Sequence, residues 1–185
     1  MATTTAITGA QFDALPYDEG RRWELIQGEL IEVSSPTPEH QILVQRILLA
    51  LFLYVQAGAT GLVLTDVEFA LGEDIRVRPD VCAPLGDKAK RLDKSRVPVQ
   101  SCPDIAIEVL SPSERTSDSM CKVDVYLDHG VREVWQVYPR TRQMMLYTAG
   151  QNVRKFLEGA TVTTDLLPGF ELPLSQLFAE SPKPQ

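Results

Sequence analysis

Residues Pro103–Ser113, PDIAIEVLSPS, constrain the fold more than any other stretch of the chain. Strand side chains alternate between faces. Ile105, Ile107 and Val109 therefore share one face, and Asp104, Ala106, Glu108 and Leu110 share the other. Alternating β-branched residues predict a central strand, which the Ser111-Pro112-Ser113 break terminates. An ionised Glu108 inside such a strand is costly unless something compensates it. A cation, a base or a metal ion would serve, and Arg76, Arg78 and Arg132 are candidates for a purely structural pair.

The 185 residues are enough for one domain with a sizeable core. Hydrophobic residues make up 44% and charged residues 23%, an ordinary globular balance. No apolar run is long enough to span a bilayer. The start, MATTTAITGAQF, lacks the basic and apolar regions of a secretory signal. The expectation is a cytoplasmic protein without a membrane partner. Cys82, Cys102 and Cys121 show no metal-type CxxC spacing and read as reduced thiols. A formal net charge of -7 argues against non-specific coating of nucleic acid, but not against an enzyme that meets a phosphate backbone through one local patch.

Residues 1–11 read as a flexible start, 12–180 as a single domain and 181–185 as a frayed tail. Phe12, Leu15 and Tyr17 suggest a short helical turn. Gln27-Gly28 between RWELI and ELIEV predicts a β-hairpin. Thr37 as N-cap, Pro38 at the first helical position and Glu39 in the first turn open a helix. Leu43, Val44, Ile47, Leu48, Leu51, Phe52 and Val55 form its apolar face, and Gly58 and Gly61 end it. Residues 61–71 alternate as a strand, and 75–78 and 79–84 are short extended pieces. Residues 87–100 read as irregular. A second helix, 116–129, carries a Met120/Val123/Leu127 stripe with Thr116 or Ser117 as N-cap. Val131–Tyr138, Gln143–Tyr147 and Asn152–Phe156 read as successive antiparallel strands. A turn at Pro168-Gly169-Phe170 and a helical turn near Leu174–Phe178 close the chain.

Asp80 stands at a strand start in RVRPDV, and Glu108 lies in the next confident strand. If those strands are neighbours, both carboxylates reach one point. Mg²⁺ is commonly held by one or two carboxylates with waters and substrate phosphate. Lys122 and Tyr126 share one face of the helix that follows Glu108. A lysine there would orient an attacking water and offset the charge of a phosphoryl transition state. The bland alternatives are a turn cap for Asp80 and an Asp118 partner for Lys122.

The segments RWELIQGELIEVSSPTPEHQ, VRPDV, PDIAIEVLSPS, the Lys122/Tyr126 helix and GVREVWQVYP resemble, in that order, the Uma2 family of the PD-(D/E)XK nuclease-like superfamily. The resemblance runs from about Phe12 to the C-terminal turn. It implies an α/β, restriction endonuclease-like fold, a mixed central β-sheet flanked by two main helices, with an N-terminal hairpin and C-terminal antiparallel strands. It also implies Asp80, Glu108 and the Val109 carbonyl as ligands of Mg²⁺ or Mn²⁺. The superfamily usually keeps its lysine two residues after the second acid. Leu110 occupies that slot here, and Lys122 resembles the migrated lysine of this family. Glu24 and His40 match recurring family positions.

The first functional expectation is a metal-dependent endonuclease acting on DNA, with Asp80, Glu108 and Lys122 as catalytic residues and Tyr126 bonding the site or a phosphate. Asp104 shares the Glu108 face two pleats away and is a further candidate. Arg76 and Arg78 open a basic run, continued by Lys88, Lys90, Arg91, Lys94 and Arg96, that would track a phosphate backbone. The alternative is a nuclease fold retained as a binding or assembly module with slight catalysis or none. A hydrolase of another phosphoester is a third reading. Apolar hairpin edges and the Trp135 strand suggest a homodimer.

Overall fold

The computed structural model describes residues 6–16, 21–111, 115–150 and 152–180. Tyr17, Pro112, Ser113 and the tail expected to fray over 181–185 lie outside them. Helix α1 (Gly9–Asp13) opens with a capping box in which Thr8 and Gln11 satisfy each other's backbone N–H groups. The Ile7 N–H donates to the Gly28 carbonyl and the Gly9 N–H to the Glu73 carbonyl. The start is therefore tied to the hairpin from Ile7 onward.

Gln27 and Gly28 take φ angles of 52° and 80°. Two successive positive φ values give a turn whose twist matches paired strands. Strands β1 (Arg22–Ile26) and β2 (Glu29–Val33) accordingly pair antiparallel, with Leu25 opposite Leu30.

Helix α2 (Pro38–Gln56) starts as its sequence predicts, with Thr37 Oγ1 accepting the His40 N–H. Leu43, Val44, Ile47 and Leu51 are buried, each contributing roughly 1.5–3 kcal/mol. Phe52, expected on the same face, is turned outward with Leu49 and Leu53, because the apolar stripe is wider than the surface the sheet can cover.

The predicted strand over 61–71 divides. Asp66, at φ 56°, turns the chain between β3 (Leu64–Thr65) and β4 (Phe69–Gly72), and the two pieces join different sheets. Strand β5 (Ile75–Val77) and β4 extend the hairpin into a four-stranded sheet of order β2-β1-β5-β4. After β6 (Val81–Ala83), part of the segment expected to be irregular forms a short helix, α3 (Gly86–Arg91), which buries Ala89.

The large sheet holds β7 (Ile105–Val109), β8 (Glu133–Tyr138), β9 (Gln143–Thr148) and β10 (Asn152–Phe156) in the order β10-β9-β8-β7-β6-β3. Only β7 and β8 run parallel, joined across α4 (Thr116–Asp128); the sheet is mixed, as predicted. One face of β7 (Ile105, Ile107, Val109) packs in a core with α2 and Trp135. Ala106, on the other face, packs with Val123, Val125 and Tyr126 of α4. The predicted stripe of α4 is rotated: Ser119, Val123, Val125 and Tyr126 are buried, while Met120 and Leu127 are only partly covered. Its N-cap is Arg115, without a side-chain cap bond. Strands β11 (Thr161–Val162) and β12 (Leu172–Pro173) pair beside α5 (Leu174–Leu177), and Arg46 of α2 donates to the Leu177 carbonyl.

Trp135 is fully buried inside β8 and lends no surface to a dimer, contrary to expectation. The cysteines are free thiols. Among the described residues no helix is long and apolar enough to cross a membrane.

Candidate active site

Glu108 faces α4 from the centre of the large sheet, paired in register with Gln136 of β8. Lys122 and Tyr126 lie one helical turn apart on α4, so both descend on the same carboxylate. Tyr126 Oη donates to Glu108 Oε1 at 2.7 Å, and Lys122 Nζ stands 2.9 Å from that oxygen. Lys122 is not a solvated residue held by Asp118; its side chain is 12% exposed and its second partner is Glu24 Oε2, 3.1 Å away. Glu24 reaches in from β1, where its other oxygen accepts the Arg78 N–H at 2.7 Å.

Asp80 arrives from the adjacent strand. β6 runs antiparallel to β7 with Val81 opposite Ile107, which sets the preceding residue beside Glu108 and Val109. Asp80 Oδ2 accepts the Val109 N–H at 2.7 Å and lies 3.1 Å from His40 Nε2. His40 comes from the first turn of α2, so its backbone belongs to the Thr37 cap while its ring meets Asp80. Glu24, His40, Asp80, Glu108, Val109 and Lys122 all line a cavity of about 550 Å³ between the hairpin, α2 and α4.

Burial pushes the Glu108 carboxyl up to about 8; Lys122 opposes that rise, and the charges of Asp80 and Glu24 reinforce it. For Lys122, burial works against the ammonium, but Glu108 and Glu24 outweigh it and hold the group above its ordinary range. Burial, with Glu108 and Glu24 behind it, raises the Tyr126 phenol well above its usual value, so it stays a donor.

Other sequence candidates stand elsewhere. Asp104 is at the opposite end of β7, where Oδ2 accepts the Leu85 N–H at 2.7 Å and Oδ1 faces Lys88 and Arg132 at 3.6 and 3.7 Å. Arg76 is engaged by Asp13 through two 2.9 Å bonds. Arg78 pairs with Glu68 at 2.9 Å. Lys90 and Arg91 meet Asp87. The basic run expected to follow a phosphate backbone is thus largely occupied by local carboxylates, because acids interleave it in space as they do in sequence.

Sequence reasoning overlooked Gln136, Arg22 and Arg115. Gln136 Nε2 donates to the Ser119 carbonyl at 2.9 Å, pinning α4 over the sheet. Its signal was a polar residue inside the apolar run EVWQVY. Arg22 and Arg115 line the cavity beside the acids, and nothing in their local pattern marks them.

The donor set suits a hard divalent cation. Among the described residues no three His, Cys, Asp or Glu side chains form a complete cage. Mg²⁺ does not require one, since it binds through one or two carboxylates with waters and phosphate. Glu24 and Glu108 share the buried Lys122 ammonium, and Asp80 lies beside them; a divalent cation would offset the neighbouring acidic charge that helps hold the Glu108 carboxyl up.

A protein from Anabaena variabilis ATCC 29413, described as "a putative nuclease belonging to DUF820", has a crystal structure that superposes with a TM-score of 0.83. Identity is 21%, over 94% of this chain and 98% of the other, so the likeness speaks for the fold. No curated protein matches the chain. The profile of the Uma2 family, whose description reads "Putative restriction endonuclease", matches residues 10–175, and the chain belongs to that family.

Proposed function

We propose that Asp80, Glu108 and Lys122 form the active site of a Mg²⁺- or Mn²⁺-dependent endonuclease that hydrolyses DNA phosphodiester bonds. The observation that carries this reading is the ammonium of Lys122, 2.9 Å from Glu108 and opening with Asp80 onto one cavity. Asp80, Glu108 and the Val109 carbonyl would hold the cation. When bound, it polarises a phosphoryl oxygen and acidifies water near neutral pH. Lys122 would orient the attacking water and offset the charge gained by the phosphoryl group. Tyr126 would hold the Glu108 carboxylate in one orientation, and His40 with the Val109 N–H would do the same for Asp80.

The reading extends to a cytoplasmic protein with one domain over 12–180, acting as a homodimer. Exposed Leu30, on β2 at the edge of the small sheet, would lie in the dimer surface. Two sites would then address two DNA strands, and sedimentation of a Leu30→Lys variant checks this.

The direct test is cleavage of plasmid and single-stranded DNA with Mg²⁺ and with Mn²⁺, run beside Lys122→Ala. Metal-dependent cleavage that disappears in the variant is expected; equal cleavage by both proteins would sink the proposal.

One observation favours a second reading, a binding or assembly module. Lys122 already offsets much of the buried charge on Glu24 and Glu108 without any metal. Calorimetry with Mn²⁺ separates the two, since heat of binding is expected of the nuclease and none at millimolar metal of the module.

A further inference from the structure

We infer that Glu24 is the positioning residue that keeps Lys122 at the site, an inference that rests on the nuclease reading above. Leu110 fills the position two residues after Glu108, and its side chain carries no donor. The ammonium comes instead from α4, on a long flexible stem. A single contact with Glu108 leaves such a side chain free to pivot, and a second point fixes it.

Glu24 supplies that point. Its Oε2 is 3.1 Å from Lys122 Nζ, and its side chain is 4% exposed. Its Oε1 accepts the Arg78 N–H at 2.7 Å. Arg78 is separated from Asp80 only by Pro79, which has no N–H to offer. One carboxylate is thus tied through one oxygen to the segment that presents the first acid, and through the other to the lysine. β1 is itself held on both sides, by β2 and β5. The small sheet therefore adds a second tie between the Asp80 segment and Lys122, beside the one that runs through Glu108 and Val109 in the large sheet.

Charge gives Glu24 a second use. A cation held by Asp80 and Glu108 would compete with Lys122 for the Glu108 oxygens and repel the ammonium. Glu24 would then remain as the counter-charge that keeps the lysine beside the site.

The test compares wild type, Glu24→Gln, Lys122→Met and the double variant with Mn²⁺. Gln preserves the acceptor for Arg78 and removes the charge that faces Lys122. In Glu24→Gln, kcat is expected to fall at least about tenfold, with KM and calorimetric Mn²⁺ affinity each within about threefold of wild type. The double variant is expected to be no slower than Lys122→Met. Glu24→Asp keeps the charge one methylene short and is expected to fall between wild type and Gln. It also serves as the probe if Gln impairs folding.

A readout independent of cleavage is thermal unfolding of the same four proteins, where the two substitutions are expected to be non-additive. Wild-type cleavage rates in Glu24→Gln overturn the inference and leave the nuclease reading intact. Loss of Mn²⁺ binding in Glu24→Gln also overturns it, by making Glu24 a ligand. A wild type without cleavage sinks the nuclease reading; additive unfolding losses then sink the Glu24–Lys122 link too, and non-additive losses sustain it.

Discussion

The two ends of β7 carry buried acids on one face of the strand, with different surroundings. Asp104 accepts the Leu85 N–H and faces Lys88 and Arg132. Glu108 faces Lys122 and Tyr126, but it shares the lysine with Glu24 and lies beside Asp80. At Asp104 one carboxylate meets two cations and an amide. At Glu108 one ammonium is shared by two carboxylates, a third acid lies beside them, and the cluster opens onto a cavity. A buried ion pair is therefore no mark of a site by itself. Neighbouring acids and an open cavity separate Glu108, whose carboxyl they help to hold up, from an acid whose partners already surround it.

Substitution at each end tests this contrast, and the largest effect is expected in catalysis. Glu108→Ala should lower DNA cleavage by at least about 10²-fold, the scale of losing a transition-state electrostatic group. Asp104→Ala should leave the rate per folded molecule unchanged. Equal losses at the two ends, in assays corrected for folded fraction, would erase the distinction.

Stability should show the reverse emphasis at the Asp104 end. Asp104→Ala leaves the Leu85 N–H without its acceptor and is expected to cost about 1–3 kcal/mol in denaturant unfolding. A smaller change follows from Tyr126→Phe, which removes one donor to Glu108. It should cost about 1.5 kcal/mol and roughly tenfold in kcat, with KM little altered. The smallest effect is expected from Arg132→Ala. Its side chain is 58% exposed, and its ion pair with Asp104 should be worth less than about 1 kcal/mol. A large loss there would mean that Asp104 depends on Arg132 more than on the Leu85 amide.

Much of the fold was legible in local pattern. Gln27-Gly28 demanded positive φ and produced the hairpin. The Thr37-Pro38 start and the spacing of Leu43, Val44, Ile47 and Leu51 defined α2. Where tertiary contacts competed with pattern, the sequence was a poorer guide. Residues 61–71 alternate like one strand, yet Asp66 sends the halves to separate sheets. The Met120/Val123/Leu127 stripe gave way to a rotation of α4 that buries Tyr126. That rotation follows from the acid beneath, since the Tyr126 hydroxyl finds its acceptor in Glu108.

The site divides along the same line. An acid in an apolar strand, another after Arg-Pro-like punctuation and a lysine on the next helix were visible as residue types in order. Reach was not. Glu24 and Lys122 belong to distant parts of the chain, and no periodicity states that β1 and α4 converge over β7. Asp104 and Glu108 look alike in PDIAIEV, and only packing gave one of them Leu85, Lys88 and Arg132. Periodicity and turn chemistry act over a few residues, so the order of amino acids suffices to define the hairpin, α2 and the central strand. The balance of charge around a carboxylate depends on which distant side chains arrive within a few ångströms, and the packed sheets and helices set that balance.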